Sequence, residues 1–203
     1  TGSALITLCG QNNRIIVSGG ANMTVSKKDV DDFLCSAKRG DLFLGQLEIP
    51  VETVGYALQV SKSKGMTTLL NPAPADSTIL PFLRYTDILL PNETDLSLLG
   101  GEEKLLEAGT QTLVVTLGGK GYKIVSKKKR TAFPCPSVKV VDTTAAGDTF
   151  CGALCTMLSK GKNLEESCRF ASVAASLSCT RKGASASVPT LEEVLSFTKQ
   201  ILI

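Results

Sequence analysis

Short apolar runs alternate along this chain with longer segments whose apolar residues recur at helical spacing. The runs with the length of buried strands are residues 42–47, 67–70, 87–90 and 112–116. The first helical pattern between them covers residues 51–64 and ends at Gly65, a residue typical of helix C-caps. This alternation predicts an α/β fold, with a doubly wound, mostly parallel sheet flanked by helices.

Local capping and turn signals predict further elements around this framework. They are two strands at residues 4–8 and 14–17 around a turn at 10–13, a helix capped by Ser26 with Asp29 at N3, a helix at 102–108, an antiparallel pair at 122–126 and 131–133, a helix at 164–178 capped by Asn163, and a last helix that begins at Thr190 with Glu193 at N3 and includes Leu202.

Polar and glycine residues follow the apolar runs at equivalent points. They are Glu48, Asn71, Asn92, Asp95, Gly118, Gly121 and Asp148. Ligands of open parallel sheets bind beyond the carboxyl ends of the strands. We therefore expect the functional site at this edge of the sheet.

The stretch from Val138 to Leu154 carries the sharpest chemical signal. We expect its start to be an apolar strand over 138–141, followed by a turn and a helix with one apolar face. Unpaired N–H groups of Ala145, Ala146 and Gly147 at the helix start would attract an anion. Asp148 would place a carboxylate beside that anion, which suits phosphoryl transfer to an alcohol. The alternative is that Asp148 only caps the helix.

The composition excludes several classes of catalytic machinery and of binding partner. The 203 residues are 43% hydrophobic and include no histidine, which excludes Ser-His-Asp and Cys-His machinery. The net charge of +3 is small and aromatic residues are few, so we expect no nucleic-acid partner. No apolar run approaches about 18 residues, and we expect neither a membrane span nor a signal peptide.

Seven cysteines, odd in number and without C-x-x-C spacing, are typical of reduced thiols. We therefore expect a cytoplasmic protein and no zinc site.

The segment D-T-T-A-A-G-D-T-F-C-G-A-L at 142–154 closely resembles the C-terminal signature of the ribokinase-like (phosphofructokinase-B) carbohydrate kinases. Further segments resemble that family in the same order, namely Q-L-E at 46–48, N-P-A-P-A at 71–75, N-E-T at 92–94 and T-R-K-G-A at 180–184. The resemblance implies that residues 1–22 belong to a β-lid and residues 23–203 to the kinase domain. The family's N-terminal G-G-x-G-x-N sugar-binding segment has no counterpart in this sequence.

The resemblance also implies residue roles. Asp148 would be the catalytic base, with Ala145, Ala146 and Gly147 holding the transferred charge, and Glu48 and Asp148 binding the sugar. ATP would contact Asn92, Thr116, Gly118, Gly121, Gly147 and Ser172. A monovalent cation, K⁺, would be held by Asp142, Thr144, Ser178, Arg181, Gly183 and Ser187. Asp95 would act on Mg²⁺ through water, although the family has the longer Glu at this position.

Each motif also has a structural interpretation. Residues 92–95 suit a turn with an N-cap, and residues 116–121 suit a glycine turn without Walker spacing. Glu48 suits an exposed strand end, and residues 180–189 suit an ordinary loop.

The function that the resemblance implies is ATP-dependent phosphorylation of the primary hydroxyl of D-ribose. Another sugar or nucleoside kinase of the same scaffold, or a shortened protein that binds nucleotide without catalysis, remains open. A homodimer formed through the first hairpin remains open as well.

Overall fold

The computed structural model describes residues 1–9 and 12–201, which form eight strands and seven α-helices. In chain order they are β1 (Ser3–Cys9), β2 (Asn12–Ser18), α1 (Lys27–Phe33), β3 (Leu42–Gln46), α2 (Val51–Ser63), β4 (Thr67–Asn71), β5 (Ile88–Leu89), α3 (Glu93–Leu98), α4 (Gly101–Glu107), β6 (Thr112–Thr116), β7 (Tyr122–Ser126), β8 (Arg130–Phe133), α5 (Ala146–Ser159), α6 (Leu164–Ser178) and α7 (Leu191–Ile201).

A six-stranded sheet in the order β3-β4-β5-β6-β7-β8 forms the centre of the fold. The steps from β3 to β6 are parallel, and β6, β7 and β8 pair antiparallel. The sheet is therefore mixed. Its parallel part, β3 to β6, is the part of the chain in which strands and helices alternate, as predicted.

Helices cover both faces of this sheet, because successive strand side chains point to opposite sides. One face packs Leu70, Leu89 and Leu113 against Leu58 of α2 and Leu105 of α4. The other face packs Leu69, Ile88 and Val114 against Phe150 and Leu154 of α5 and Cys168 of α6. The predicted apolar face of α5 is thus confirmed as the face that meets the sheet.

In the described structure β3 is only partly buried, which differs from the prediction of a buried strand. Among the described residues β3 pairs only with β4, and it therefore forms an edge of the sheet. Phe43 is buried, whereas Leu44 on the opposite face is 38% exposed. An apolar run cannot by itself separate a central strand from an edge strand, because the difference lies in the neighbours.

Predicted helix ends are confirmed where capping is local. The Ser26 N–H donates to the Asp29 carboxylate at 2.8 Å, and the Thr190 N–H donates to the Glu193 carboxylate at 2.7 Å. Gly65 follows α2 with φ +74°, a left-handed conformation that favours glycine.

The hairpin of β1 and β2 forms its own two-stranded sheet, paired from Ser3 with Ser18 to Cys9 with Asn12. Its strands are longer than predicted, because Asn12 and Asn13 belong to β2 and not to the turn. Gly10 and Gln11 of the predicted turn, and Leu202 of the predicted last helix, lie outside the described residues.

Neither the longest 3₁₀ helix nor the helix α3 was predicted. A 3₁₀ helix, Ser77–Tyr85, contains Pro81, which conceals its periodicity, and it buries Ile79 and Leu83. The helix α3 is too short for a periodic signal. Within the described ranges, no helix is both long enough and apolar enough to cross a lipid bilayer.

Candidate active site

The N-terminus of α5 is the chemical centre of the site. Ala145 is its N-cap and adopts φ +60°, a left-handed conformation that costs an alanine about 1–2 kcal/mol. Asp148 occupies N3, its side chain is exposed, and no hydrogen bond to it was found among the described residues. The interpretation of Asp148 as a helix cap is therefore wrong.

The backbone donors around Asp148 differ in availability. The Ala146 N–H donates to the Thr143 carbonyl at 3.2 Å, so one of the three predicted anion donors is already used. The N–H groups of Ala145, Gly147 and Asp148 have no acceptor among the described residues. Together with the helix dipole, they make a site for an anion.

The segment before α5 is not the strand that its valines predict. Residues 134–141 run outside the sheet, and Val140 is 59% exposed. Pro134 and Pro136 lack the N–H groups that a strand ladder needs. The N–H groups of Val141 and Asp142 instead donate to the carbonyl of Cys179, at 2.8 and 3.2 Å.

Asp142 joins this segment to the loop after α6. Its carboxylate accepts the N–H of Gly183 at 3.0 Å, and the hydroxyl and N–H of Thr144 at 2.7 and 2.9 Å. These hydrogen bonds, the one from Gly183 foremost, lower the pKa of Asp142 to about 2. The predicted cation residues Asp142, Thr144 and Gly183 are thus brought into direct contact.

The other predicted cation residues lie nearby in the chain but differ in character. Ser178 and Ser187 are almost fully buried, and their hydroxyls donate to the carbonyls of Ala175 and Ala184. Arg181 forms a two-bond ion pair with Glu193 of α7, with a shortest distance of 2.6 Å. A guanidinium has no acceptor, so Arg181 could offer a cation only its carbonyl oxygen.

A cavity of about 320 Å³ opens between the turn after β6, the segment after β8, and helices α5 and α6. The predicted residues that line it are Thr116, Gly118, Gly121, Ala146, Gly147 and Ser172. Lining residues outside every motif include Cys135, Pro136, Ser137, Ala175, Ser176 and Cys179. Ala145, Asp148, Asn92, Asp95 and Glu48 lie outside this lining.

The two predicted glycines of the turn have different reasons to be glycine. Gly118 has φ +54° and open space around its missing Cβ. A Cβ on Gly121 would lie 2.0 Å from the carbonyl oxygen of Phe133. Gly121 therefore permits the turn to pack against the segment after β8, whereas Gly118 leaves room on the cavity side.

Asn92 and Asp95 form a reciprocal cap at the start of α3. The Asn92 side chain accepts the Asp95 N–H at 2.8 Å, and the Asp95 carboxylate accepts the Asn92 N–H at 3.4 Å. Asp95 is 6% exposed, and burial raises its pKa. The capping interpretation is confirmed, while Asn92 also pairs with Thr116 of the cavity wall.

Glu48 lies just beyond the carboxyl end of β3 and is exposed. The preceding Leu47 N–H donates to the Ala73 carbonyl at 3.1 Å, so the Q-L-E and N-P-A-P-A segments meet at the same sheet edge. No cluster of three or more His, Cys, Asp or Glu side chains suited to a metal occurs in the part of the chain that the structure describes.

Comparison with known proteins agrees with this architecture. Residues 1–191 match the pfkB family of carbohydrate kinases. A ribokinase of Staphylococcus aureus is 38% identical over 96% of this chain and 68% of its own length. The chain belongs to the pfkB family of carbohydrate kinases.

Solved structures extend the comparison. The crystal structure of ribokinase from Thermotoga maritima is 40% identical, with a TM-score of 0.84 over 98% of this chain and 70% of that one. Arabidopsis thaliana ribokinase, solved with ribose and ATP, is 34% identical, with a TM-score of 0.82 over 98% of this chain and 69% of that one.

Proposed function

We propose that this protein is an ATP-dependent kinase that phosphorylates the primary hydroxyl of D-ribose. The observation that carries the proposal is the exposed Asp148 carboxylate directly after Gly147. Gly147 lines the cavity, and its N–H has no acceptor among the described residues. The names of the relatives, one of them solved with ribose and ATP, support this choice of substrates.

Asp148 takes the proton from the sugar hydroxyl as the hydroxyl oxygen bonds to the γ-phosphorus of ATP. The bond from that phosphorus to the bridging oxygen breaks, and ADP leaves. Negative charge grows on the transferred group, and the N–H groups of Ala145 and Gly147 donate to it from fixed positions. Ala145 precedes the helix in a left-handed backbone conformation, and the N–H groups of Ala145 and Gly147 have no acceptor among the described residues. Ala146 contributes differently, because its N–H holds the turn closed through Thr143.

The nucleotide occupies the cavity between the glycine turn and α6. Gly118 leaves space for a close approach, Thr116 anchors the turn to Asn92, and Ser172 is a buried hydroxyl on the opposite wall. This placement brings the phosphates towards the start of α5, where an anion is favoured. Glu48 binds a sugar hydroxyl from the end of β3.

Asp95 would act, through water, on the Mg²⁺ that would accompany the phosphates. The residues fit this role, because Asp95 is a buried carboxylate with no cationic side chain paired to it in the described ranges. Its tie to the Asn92 N–H argues against direct coordination. When bound, the metal supplies positive charge to the phosphate oxygens.

K⁺ would be held where the segment before α5 meets the loop after α6. Asp142 has spare acceptor capacity beyond its three hydrogen bonds, and the Thr144 and Ser187 hydroxyl oxygens can still accept. Ser178, Gly183 and the Arg181 carbonyl belong to the same region. A cation there strengthens the positive field at the start of α5.

The test replaces Asp148 with Asn and measures ribose-dependent ADP release. We expect turnover to fall by roughly 10²–10⁴-fold, the usual contribution of a general base, while calorimetric ATP binding persists. Glu166→Gln is a matched control, because Glu166 is an exposed carboxylate at N3 of α6 and should change little. Near-normal turnover of Asp148→Asn would show that the base is assigned wrongly.

A sugar panel separates the rival activities. Ribose, 2-deoxyribose, fructose and a nucleoside are compared by kcat/KM with ADP as the product measured. Preference for a substrate other than ribose supports a different kinase of the same scaffold. ATP binding without sugar-dependent ADP release supports a nucleotide-binding protein without catalysis.

The hairpin is the proposed surface for a homodimer. Leu5 and Ile16 are cross-strand partners, and both are about two-thirds exposed, at 65% and 67%. Ile16→Lys should lower the sedimentation coefficient if the hairpin mediates association. An unchanged oligomeric state would contradict this surface.

A further inference from the structure

Two cysteines line the cavity proposed for nucleotide, and the proposed chemistry uses neither of them. The Sγ of Cys135 lies 3.2 Å from the carbonyl oxygen of Gly119 and 3.8 Å from that of Gly118. This thiol therefore lies against the glycine turn that forms one wall. Cys179 contributes to the wall formed by the end of α6.

The described cysteines differ in access. Cys151 and Cys168 are buried in the core, and burial raises the pKa of both thiols to about 12. Burial also raises the pKa of Cys155, to about 11, and that of Cys179. Cys35 is exposed and Cys135 is partly exposed, and of these two thiols Cys135 is the one that lines the cavity.

We propose that Cys135 is a modification site at which a small disulfide, such as oxidised glutathione, forms a mixed disulfide that excludes nucleotide from the cavity. The exclusion rests on the proposed function, which assigns the cavity to ATP. The Cys135 thiolate, its proton given to water, attacks one sulfur of the disulfide. A new S–S bond forms, the original S–S bond breaks, and the other half leaves as a thiolate that takes a proton from water.

Size and charge support mutual exclusion. A cavity of about 320 Å³ holds one ligand of drug size and not two. Ala146 and Gly147 at the start of α5 line the same space, so the carboxylates of a glutathionyl adduct meet the positive helix end that suits phosphates. The adduct and the nucleotide thus compete for the same volume and the same donors.

The experiment treats the whole protein with oxidised glutathione, with and without ATP, and measures labelling at each cysteine by peptide mass mapping. With ATP at 100 times its calorimetric Kd, we expect labelling of Cys135 to slow about a hundredfold, because only the empty cavity reacts. Labelling of Cys35 should keep its rate. Each variant's ATP binding is then compared before and after treatment with oxidised glutathione. Cys35→Ser, which keeps Cys135, should lose ATP binding on treatment. Cys135→Ser should bind ATP equally well before and after it.

Two outcomes overturn the inference. One is equal labelling of Cys135 with and without ATP in a protein that binds ATP by calorimetry. The other is no labelling of Cys135 under conditions that label Cys35. If the unmodified protein fails to bind ATP, the proposed function is contradicted, and so is the exclusion of nucleotide by the adduct. The rate at which oxidised glutathione labels Cys135 would still decide whether this cysteine is modified.

Discussion

The carboxylate of Asp142 accepts the backbone N–H of Gly183 at 3.0 Å, across 41 residues of sequence. This contact fastens the segment before α5 to the loop after α6. Both segments flank the turn that exposes the N–H groups of Ala145 and Gly147. The geometry of the proposed anion site therefore depends on a tie between two distant parts of the chain.

The Asp142 tie should persist to low pH. Hydrogen bonds lower its pKa to about 2 from about 3.9 in an unfolded chain. Its stabilisation is therefore fully present above about pH 4 and is lost as the pH falls through about 2. The Gly183 amide shift, followed by NMR, should titrate with a midpoint near the lower value.

A matched variant tests whether the long-range contact matters. Asp76 accepts the N–H and hydroxyl of Thr78 at 2.9 and 2.7 Å, the same local pattern without a distant partner. Asp142→Asn should accelerate hydrogen exchange at Gly183 and reduce turnover, whereas Asp76→Asn should do neither. Equal effects of the two variants would contradict a specific role for the hydrogen bond between Asp142 and Gly183.

Asp95→Asn should stabilise the fold at pH 7 and weaken the response to Mg²⁺. Burial raises the pKa of Asp95, so its contribution to stability is present below the unfolded pKa and is lost as the pH rises through the folded one. At pH 7 the buried charge is unfavourable, and the amide can still accept the Asn92 N–H. We expect a higher Tm and a higher Mg²⁺ concentration at half-maximal turnover.

Glu93→Gln is the control for Asp95, because Glu93 is an exposed carboxylate in the same first turn of α3. Glu93→Gln should change neither the Tm nor the Mg²⁺ concentration at half-maximal turnover. A second variant, Asp95→Glu, extends the carboxylate by one methylene group and should lower the Mg²⁺ requirement. An unchanged Mg²⁺ requirement in both Asp95 variants would remove this residue from the metal site.

Thr149→Val should raise the free energy of unfolding by about 1–2 kcal/mol, because the Thr149 hydroxyl is buried without a hydrogen-bond partner among the described residues. Thr68 is the contrasting case, since its hydroxyl donates to the Tyr85 carbonyl at 2.6 Å and accepts the Asp87 N–H at 3.1 Å. Thr68→Val should therefore lower stability by about 1–3 kcal/mol. Urea unfolding measures the free energy of unfolding of both variants. A lower value for Thr149→Val would show that the Thr149 hydroxyl does have a hydrogen-bond partner.

Potassium should raise turnover above that in tetramethylammonium at equal ionic strength, because the methyl groups keep that ion's charge away from oxygen ligands such as the Asp142 carboxylate. The difference should shrink in Asp142→Asn, which removes the charge that attracts the cation. Steady-state ADP release gives both comparisons. Identical rates in the two salts would rule out a functional cation at this place.

Several features of the candidate site could be predicted because their signals are local. The glycine turn after β6 and the small residues before α5 each follow from a few adjacent residues, and the structure places Gly118, Gly147 and Ser172 around one cavity. Cys135 could not be predicted as a lining residue, since it lies in a segment without periodicity or motif. Its position depends on how that segment packs against the glycine turn.

The sequence by itself determined the helices with strong caps, the parallel half of the sheet and the helix start that carries Asp148. Periodicity and capping act over a few residues, so they can be read without knowledge of the neighbours. Only the tertiary structure decided that β3 lies at the edge of the described sheet and that residues 138–141 stay outside it. It likewise decided that the N–H groups of Val141 and Asp142 donate to Cys179, and that Asp142 holds Gly183. Each of these depends on contacts between residues far apart in the chain, which no local pattern encodes.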